Sequence, residues 1–163
     1  MRILVAGVGN IFLSDDGFGV AVVDRLRLTG AEVVDIGIRG MHLAYRLLDG
    51  YDVLVLVDAV RRGGDPGTLH VLEHDLDAPA DDPPALDAHG MDPASVLTLL
   101  DGLARSTGVE RPVGRVLVVG CEPAVLDEGI GLSPPVAAAV GPAVRAVTAL
   151  VAELELVEEG ARS

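Results

Sequence analysis

The chain of 163 residues has no tryptophan, two phenylalanines, two tyrosines and one cysteine, Cys121. A single cysteine excludes an intramolecular disulfide, so a cytoplasmic setting is the simple expectation, and we interpret Cys121 as a small buried hydrophobe. The scarcity of aromatic side chains leaves the core to Val, Leu, Ile and Ala, a composition that favours buried parallel strands. The length suffices for one core, so we expect a single domain over 1–163.

Positive charge is also scarce. Twelve basic residues, all of them arginine, stand against 25 acidic residues and give a formal net charge of −13. Because no cationic stripe is present, nucleic acid and anionic membranes are not expected as partners. No apolar run approaches the roughly 18 residues of a spanning helix, and the first residues lead into a strand without the layout of a signal peptide. We therefore expect no membrane association.

Strand and helix patterns alternate along the chain, which is typical of an α/β fold. Short apolar runs predict strands at 2–6, 32–36, 53–58 and 115–120, and alternation over 68–74 predicts an edge strand, which we take as antiparallel. Helical spacing and cap residues predict helices at 17–28, 40–49, 92–107 and 133–157. Prolines and aspartates over 75–88 predict a mobile loop, and we expect the tail 158–163 to fray.

Three ionisable residues lie where an apolar chain should avoid them. They are Asp16 in GVGNIFLSDDGFG (7–19), Asp58 in VLVLVDAV (53–60) and His89 in DAHGMD (87–92). In an α/β sheet all three would lie at or just past the carboxyl ends of strands, the edge where such sheets bind ligands. Two carboxylates and an imidazole gathered there would favour a borderline divalent metal, which points to an enzyme.

Each of these residues also has a purely structural interpretation. Asp15 and Asp16 would cap the helix that follows them, and both roles combine if Asp15 caps and Asp16 faces the cleft. An unpaired Asp58 in a dry interior would cost roughly several kcal/mol, so hydrogen bonds to nearby loop amides are the alternative to a metal. A loop histidine is most often solvated, so His89 gains its value only in combination with the carboxylates.

A dinucleotide-binding oxidoreductase is the alternative that the opening segment suggests. Gly7 and Gly9 would approach the pyrophosphate, and Asp35 would bind the ribose. Phe12 stands where the fingerprint needs its third glycine, and the paired aspartates would repel phosphate at the helix N-terminus. The sequence therefore gives this alternative little support.

Several motifs occur in a fixed order, and together they point to one family. They are the segment 7–19, DIGIRGM (35–41), VLVDA (55–59), the His89 loop, GCEP (120–123) and GLSPPV (131–136). In this order they resemble the endopeptidases that mature nickel–iron hydrogenases by removing a C-terminal extension from the large-subunit precursor. The resemblance covers nearly the whole chain.

The resemblance implies a three-layer, doubly wound fold with a mostly parallel five-stranded sheet, helices on both faces and one antiparallel edge strand. By this similarity Asp16, Asp58 and His89 match the family's metal-contacting positions, although some members have Glu at the first of them. The nickel arrives in the precursor, so no permanently bound metal is expected. The same three residues would then dock on the nickel and orient the scissile peptide for hydrolysis.

Further expectations follow from the same resemblance. The turn with Gly37, Arg39 and Gly40 would contact the precursor's tail, and we expect a monomer. No Ser–His–Asp arrangement and no H-E-x-x-H helix is visible, which argues against ordinary serine or zinc proteolysis. A non-catalytic nickel-binding assembly protein is the second alternative, because it would keep the same ligands and leave the precursor uncut.

Overall fold

The computed structural model describes residues 1–76, 93–109 and 112–162. Within these ranges the chain forms one five-stranded sheet with helices on both faces. The strands are β1 Ile3–Val8, β2 Glu32–Gly37, β3 Tyr51–Ala59, β4 Leu69–His74 and β5 Val113–Cys121. The helices are α1 Phe18–Arg25, α2 Gly40–Leu47, α3 Pro93–Thr107 and α4 Pro134–Arg162, and a short 3-10 helix, Ser14–Gly17, precedes α1.

The strand order in the sheet is β2-β1-β3-β5-β4. The pairs β1–β2, β1–β3 and β3–β5 are parallel, and only β4 runs antiparallel at its edge. The predicted five-stranded α/β sheet and its antiparallel edge strand are therefore confirmed. β2 pairs with one edge of β1, and β3 pairs with the other edge. The direction in which successive strands are added to the sheet therefore reverses between β1 and β3.

Two apolar layers cover the two faces of the sheet. In β1, Ile3 and Val5 face the layer that contains α1 and α4, and Leu4 and Ala6 face the layer that contains α2 and α3. The strands β1, β3 and β5 alternate in the same way, so both of their faces are buried. Their sequences are therefore apolar at almost every position, whereas β4 alternates because its outer face meets solvent.

Helix α4 differs from the prediction in two respects. It continues through Arg162, where a frayed tail was expected. Glu158 lies in this added turn, and its carboxylate binds the N-terminal ammonium at 2.8 Å and the Arg162 guanidinium at 2.7 Å. The helix is also long and apolar enough to span a membrane by length and composition, which corrects the expectation that no such stretch exists. Its apolar residues Val140 and Val147 are buried in the core.

Candidate active site

The crevice at the carboxyl ends of β1 and β3 brings two of the predicted site residues together. Ligand sites in open α/β sheets lie where the strand order reverses, which in this chain is between these two strands. The 3-10 helix that carries Asp16 follows β1 after a short loop, and Asp58 is the second-last residue of β3. The two carboxylates therefore come from opposite sides of the reversal.

Gly9 lies between these two residues and explains how they approach each other. Its φ of +131° is one that residues with a side chain rarely adopt. A β-carbon built on Gly9 would overlap the carbonyl oxygen of Asp16 and would lie 3.6 Å from Oδ1 of Asp58. Only a residue without a side chain therefore lets the Asp16 segment fold back onto the end of β3.

Asp16 is held in place by the loop that precedes it. Its Oδ2 accepts a hydrogen bond from the backbone N–H of Asn10 at 2.7 Å, and Asn10 Oδ1 in turn accepts the N–H of Phe12 at 2.9 Å. Within the part of the chain that the structure describes, Oδ1 of Asp16 accepts no hydrogen bond. The half-buried carboxylate thus keeps one oxygen available for a cation or for water.

Asp58 is a buried carboxylate, with 7% of its surface exposed. Its Oδ1 accepts the backbone N–H of Ala59 at 2.8 Å, which fixes the side chain at the end of the strand. The donor is the next residue of the same strand and not a loop amide, and a carboxylate can accept such a bond and also bind a metal because it has about four lone-pair sites. Asp58 can therefore act both as a structural acceptor and as a ligand.

Asp15 has a role that the sequence analysis missed. It was predicted to cap the following helix, but the N-cap position of α1 is Gly17, which makes no side-chain cap hydrogen bond, and Asp15 is fully buried. Its carboxylate instead accepts four hydrogen bonds, from the N–H groups of Ala124, Val125 and Ser133 and from the Ser133 hydroxyl, at 2.7–2.9 Å. The cap prediction for Asp15 is therefore wrong, because distant backbone donors take up both oxygens.

The hydrogen bonds to Asp15 also set its charge state. Burial alone would raise the pKa of Asp15, but the donors from Val125, Ser133 and Ala124 outweigh it and hold the pKa below its ordinary value. Asp15 is thus a fixed anion that ties the Asp16 segment to the β5–α4 loop and to the start of α4. The helix dipole of α4 favours a negative charge at this position.

Glu122, just after β5, is the third buried carboxylate near this edge, after Asp58 and Asp15. It accepts the backbone N–H groups of Arg62 at 2.8 Å and Gly63 at 3.2 Å, and the Arg62 hydrogen bond is the main reason that its pKa is lowered. The ring Nε2 of His70 lies 3.8 Å from Oε2 of Glu122. Glu122 therefore anchors the turn that follows Asp58, a role for which the GCEP motif was the only sequence signal.

The predicted substrate-binding turn borders the same crevice. The carbonyl oxygen of Gly37 accepts the N–H of Gly9 at 2.9 Å, which ties the end of β2 to the loop between the carboxylates. The guanidinium of Arg39 folds back and donates to the carbonyl oxygens of Asp35 and Ile36 at 2.6 and 3.2 Å. Gly40 then begins α2. The turn is therefore beside the site, with Arg39 bound to backbone carbonyls.

His89 lies outside the described residues, as do Asp92, the first residue of the predicted helix 92–107, and positions 77–88 of the predicted loop. Among the described residues no group of three His, Cys, Asp or Glu side chains forms a metal cluster. Of the predicted site residues, Asp16 and Asp58 are the two that the described part of the chain places at the crevice. This pair can bind a divalent cation that brings its other ligands with it.

Cys121 is buried at the end of β5, which makes it a poor candidate for a catalytic nucleophile. Burial and the negative charge of Asp15 raise the pKa of its thiol to about 11, so the thiolate is scarce at neutral pH. The interpretation as a buried hydrophobe is confirmed.

One protein family matches most of the chain. The model of the family described as hydrogenase maturation protease matches residues 21–150. The chain is 37% identical to the hydrogenase 2 maturation protease of Escherichia coli strain K12, over 94% of this chain and 92% of that protein.

Solved structures give the same result. The hydrogenase maturating endopeptidase HybD from E. coli is similar with a TM-score of 0.72 and 31% identity, covering 94% of this chain and 93% of that one. The hydrogenase 2 maturation peptidase from Thaumarchaeota archaeon SCGC_AB-539-E09 is similar with a TM-score of 0.67 and 33% identity, covering 93% and 99%. These matches favour an endopeptidase over the dinucleotide-binding oxidoreductase and the non-catalytic assembly protein. The chain belongs to the hydrogenase maturation protease family.

Proposed function

We propose that this endopeptidase removes the C-terminal extension of a nickel–iron hydrogenase large-subunit precursor after nickel has been inserted. Asp16, Asp58 and His89 contact the nickel that the precursor carries. The observation that supports this proposal most directly is the approach of Asp16 and Asp58 around Gly9 at the sheet edge. Two carboxylates and one imidazole leave coordination positions open, which suits a metal whose other ligands come from another protein.

Contact with the metal would orient the substrate. The precursor supplies both the nickel and the neighbouring peptide, so ligation by Asp16 and Asp58 fixes the scissile bond relative to the crevice. Holding reacting groups in place in this way removes much of the entropic barrier to hydrolysis. A precursor without nickel lacks this anchor and would not be held in a cleavable position.

Two routes to hydrolysis are open to this arrangement. In the first the nickel polarises the scissile carbonyl, and in the second a carboxylate takes a proton from the attacking water. Asp16→Asn separates them because an amide keeps an oxygen ligand but cannot accept the proton. Loss of kcat with unchanged precursor affinity supports the carboxylate as base, and loss of affinity with unchanged kcat supports a role in docking.

The test is a processing assay with purified components. Nickel-loaded and nickel-free large-subunit precursors are each incubated with the wild-type chain and with Asp16→Asn, Asp58→Asn and His89→Ala variants. We expect the wild type to cleave only the loaded precursor, and each variant to lose about 100-fold or more in rate. Asp24→Asn is the matched control, because it removes one exposed carboxylate from α1 and should cleave normally. Cleavage of neither precursor by the wild type would refute the proposal.

The proposal also covers how the precursor's tail binds, where the reaction occurs and the oligomeric state of the chain. The precursor's tail contacts the turn with Gly37, Arg39 and Gly40, which borders the crevice. The chain acts in the cytoplasm as a monomer, which agrees with its single cysteine and its charge of −13. Sedimentation over a range of concentrations tests the monomer, and cell fractionation tests the location.

A further inference from the structure

Four exposed apolar side chains lie around the loop and the helix that position Asp16. Their exposed fractions are 46% for Ile11, 60% for Phe12, 40% for Val125 and 82% for Ile130. We call these four residues the apolar rim. Single exposed apolar residues are common on proteins, but a group of them beside a site indicates an interaction surface.

Hydrogen bonds hold the backbone of the apolar rim in place. Phe12 donates its N–H to Asn10 Oδ1 and accepts the N–H of Gly129 with its carbonyl oxygen, both at 2.9 Å. The N–H of Ser14 binds the carbonyl oxygen of Gly129 at 2.9 Å, and Leu13 and Gly129 form a parallel bridge. The segments that carry Phe12 and Ile130 are thus paired, and their side chains are displayed from an ordered backbone.

The apolar rim is continuous with the Asp16 segment. A β-carbon built on Gly17 would lie 3.2 Å from the Cα of Ile11, so Ile11 packs over the residue after Asp16. The carbonyl oxygen of Val125 accepts the N–H of Asp15 at 3.0 Å. The rim therefore borders the segment that carries Asp16, where a macromolecule that brings a metal to Asp16 would come close to it.

We propose that the apolar rim is the docking surface for an apolar segment of the polypeptide that carries the metal to Asp16 and Asp58. This inference rests on the proposed function and names where the precursor binds outside the metal contact. The charge of the chain favours this occupant. The whole chain has a net charge of −13. A second copy of it or an anionic membrane would also be negative and would be repelled. The metal cation that the precursor presents is attracted to this negative charge.

The test compares a double variant of the rim with a matched control. Phe12→Ser with Ile130→Ser removes the two most exposed rim side chains, and Leu156→Ser with Val157→Ser removes side chains of similar exposure, 66% and 71%, from α4. With nickel-loaded precursor, we expect the rim variant to raise KM about ten-fold or more with kcat nearly unchanged. The α4 variant should retain wild-type values, and both should retain the wild-type Tm.

Binding of the same precursor, measured in parallel, separates failure of this inference from failure of the proposed function. If the wild type binds the precursor without cutting it and the rim variant binds about ten-fold more weakly, the rim is supported and the proposed reaction is refuted. Equal cleavage and binding by wild type and rim variant would overturn the docking surface. The docking surface would also be overturned if the rim variant changed only the self-association of the chain in sedimentation, because the rim would then bind a second copy. No binding by the wild type would overturn both proposals.

Discussion

Asp15→Asn tests whether a buried carboxylate, rather than a helix cap, holds the site segment in place. The carboxylate accepts one hydrogen bond at Oδ1, from the Ser133 N–H, and three at Oδ2. An asparagine can place its oxygen on only one side. If its oxygen takes the Oδ2 position, its NH₂ group faces the N–H of Ser133, and a buried donor is left without an acceptor.

The size of the effect follows from these contacts. One unsatisfied buried donor costs about 1–3 kcal/mol, and three hydrogen bonds that lose their charged acceptor weaken by roughly 0.5–1 kcal/mol each. We therefore expect a loss of about 3–5 kcal/mol in the free energy of unfolding. With a urea m value of about 2 kcal/mol/M, the midpoint would fall by about 2 M. Asp24→Asn, which removes an exposed carboxylate, should change the midpoint little.

The pH dependence gives an independent check. Because the pKa of Asp15 is below its ordinary value of 3.8, its ionised form stabilises the folded state above that pH. This stabilisation is lost as the pH falls through the folded-state pKa. The difference between wild type and Asp15→Asn should therefore be constant from pH 5 to 7 and narrow below about pH 4. Urea midpoints that match those of Asp24→Asn at pH 7 would refute the assigned role of Asp15.

Three further predictions concern other parts of the fold. Gly9→Ala should lower precursor cleavage by about 100-fold, since its β-carbon would displace Asp16; activity equal to wild type would contradict the geometry around Gly9. Leu54→Ala should reduce the free energy of unfolding by about 2–5 kcal/mol, measured in urea, because the side chain is fully buried; a loss under 1 kcal/mol would contradict this. Cys121 should resist iodoacetamide at pH 8 until the protein is unfolded, since its pKa is about 11; alkylation of the folded protein would show otherwise.

Local sequence patterns were sufficient to predict the sheet. Each of the strands β1, β3 and β5 is an apolar run because both of its faces are covered, and β4 alternates because one face is exposed. These patterns depend on neighbours along the same segment, so they can be read without knowing the fold. Segment ends were less predictable. α1 ends at Arg25, where Leu26 leaves the helix and is buried, and this depends on packing with other elements.

Asp15 and Asp16 show why the site could be predicted only in part. They are adjacent residues of one type, and the sequence indicated that one faces a cleft and the other is structural. It could not identify the structural partners, because the donors to Asp15 lie 109–118 positions further along the chain. A hydrogen bond of this sequence separation leaves no periodic pattern.

The sequence by itself determined the strands, their burial and the carboxylates at two strand ends, because hydrophobic periodicity and isolated charges are local properties. Only the tertiary structure decided that β1 and β3 are neighbours, that Gly9 lets Asp16 approach Asp58, and that Asp15 and Glu122 anchor distant loops. The physical reason is that these contacts join segments far apart in the chain, and their geometry exists only once the sheet has assembled.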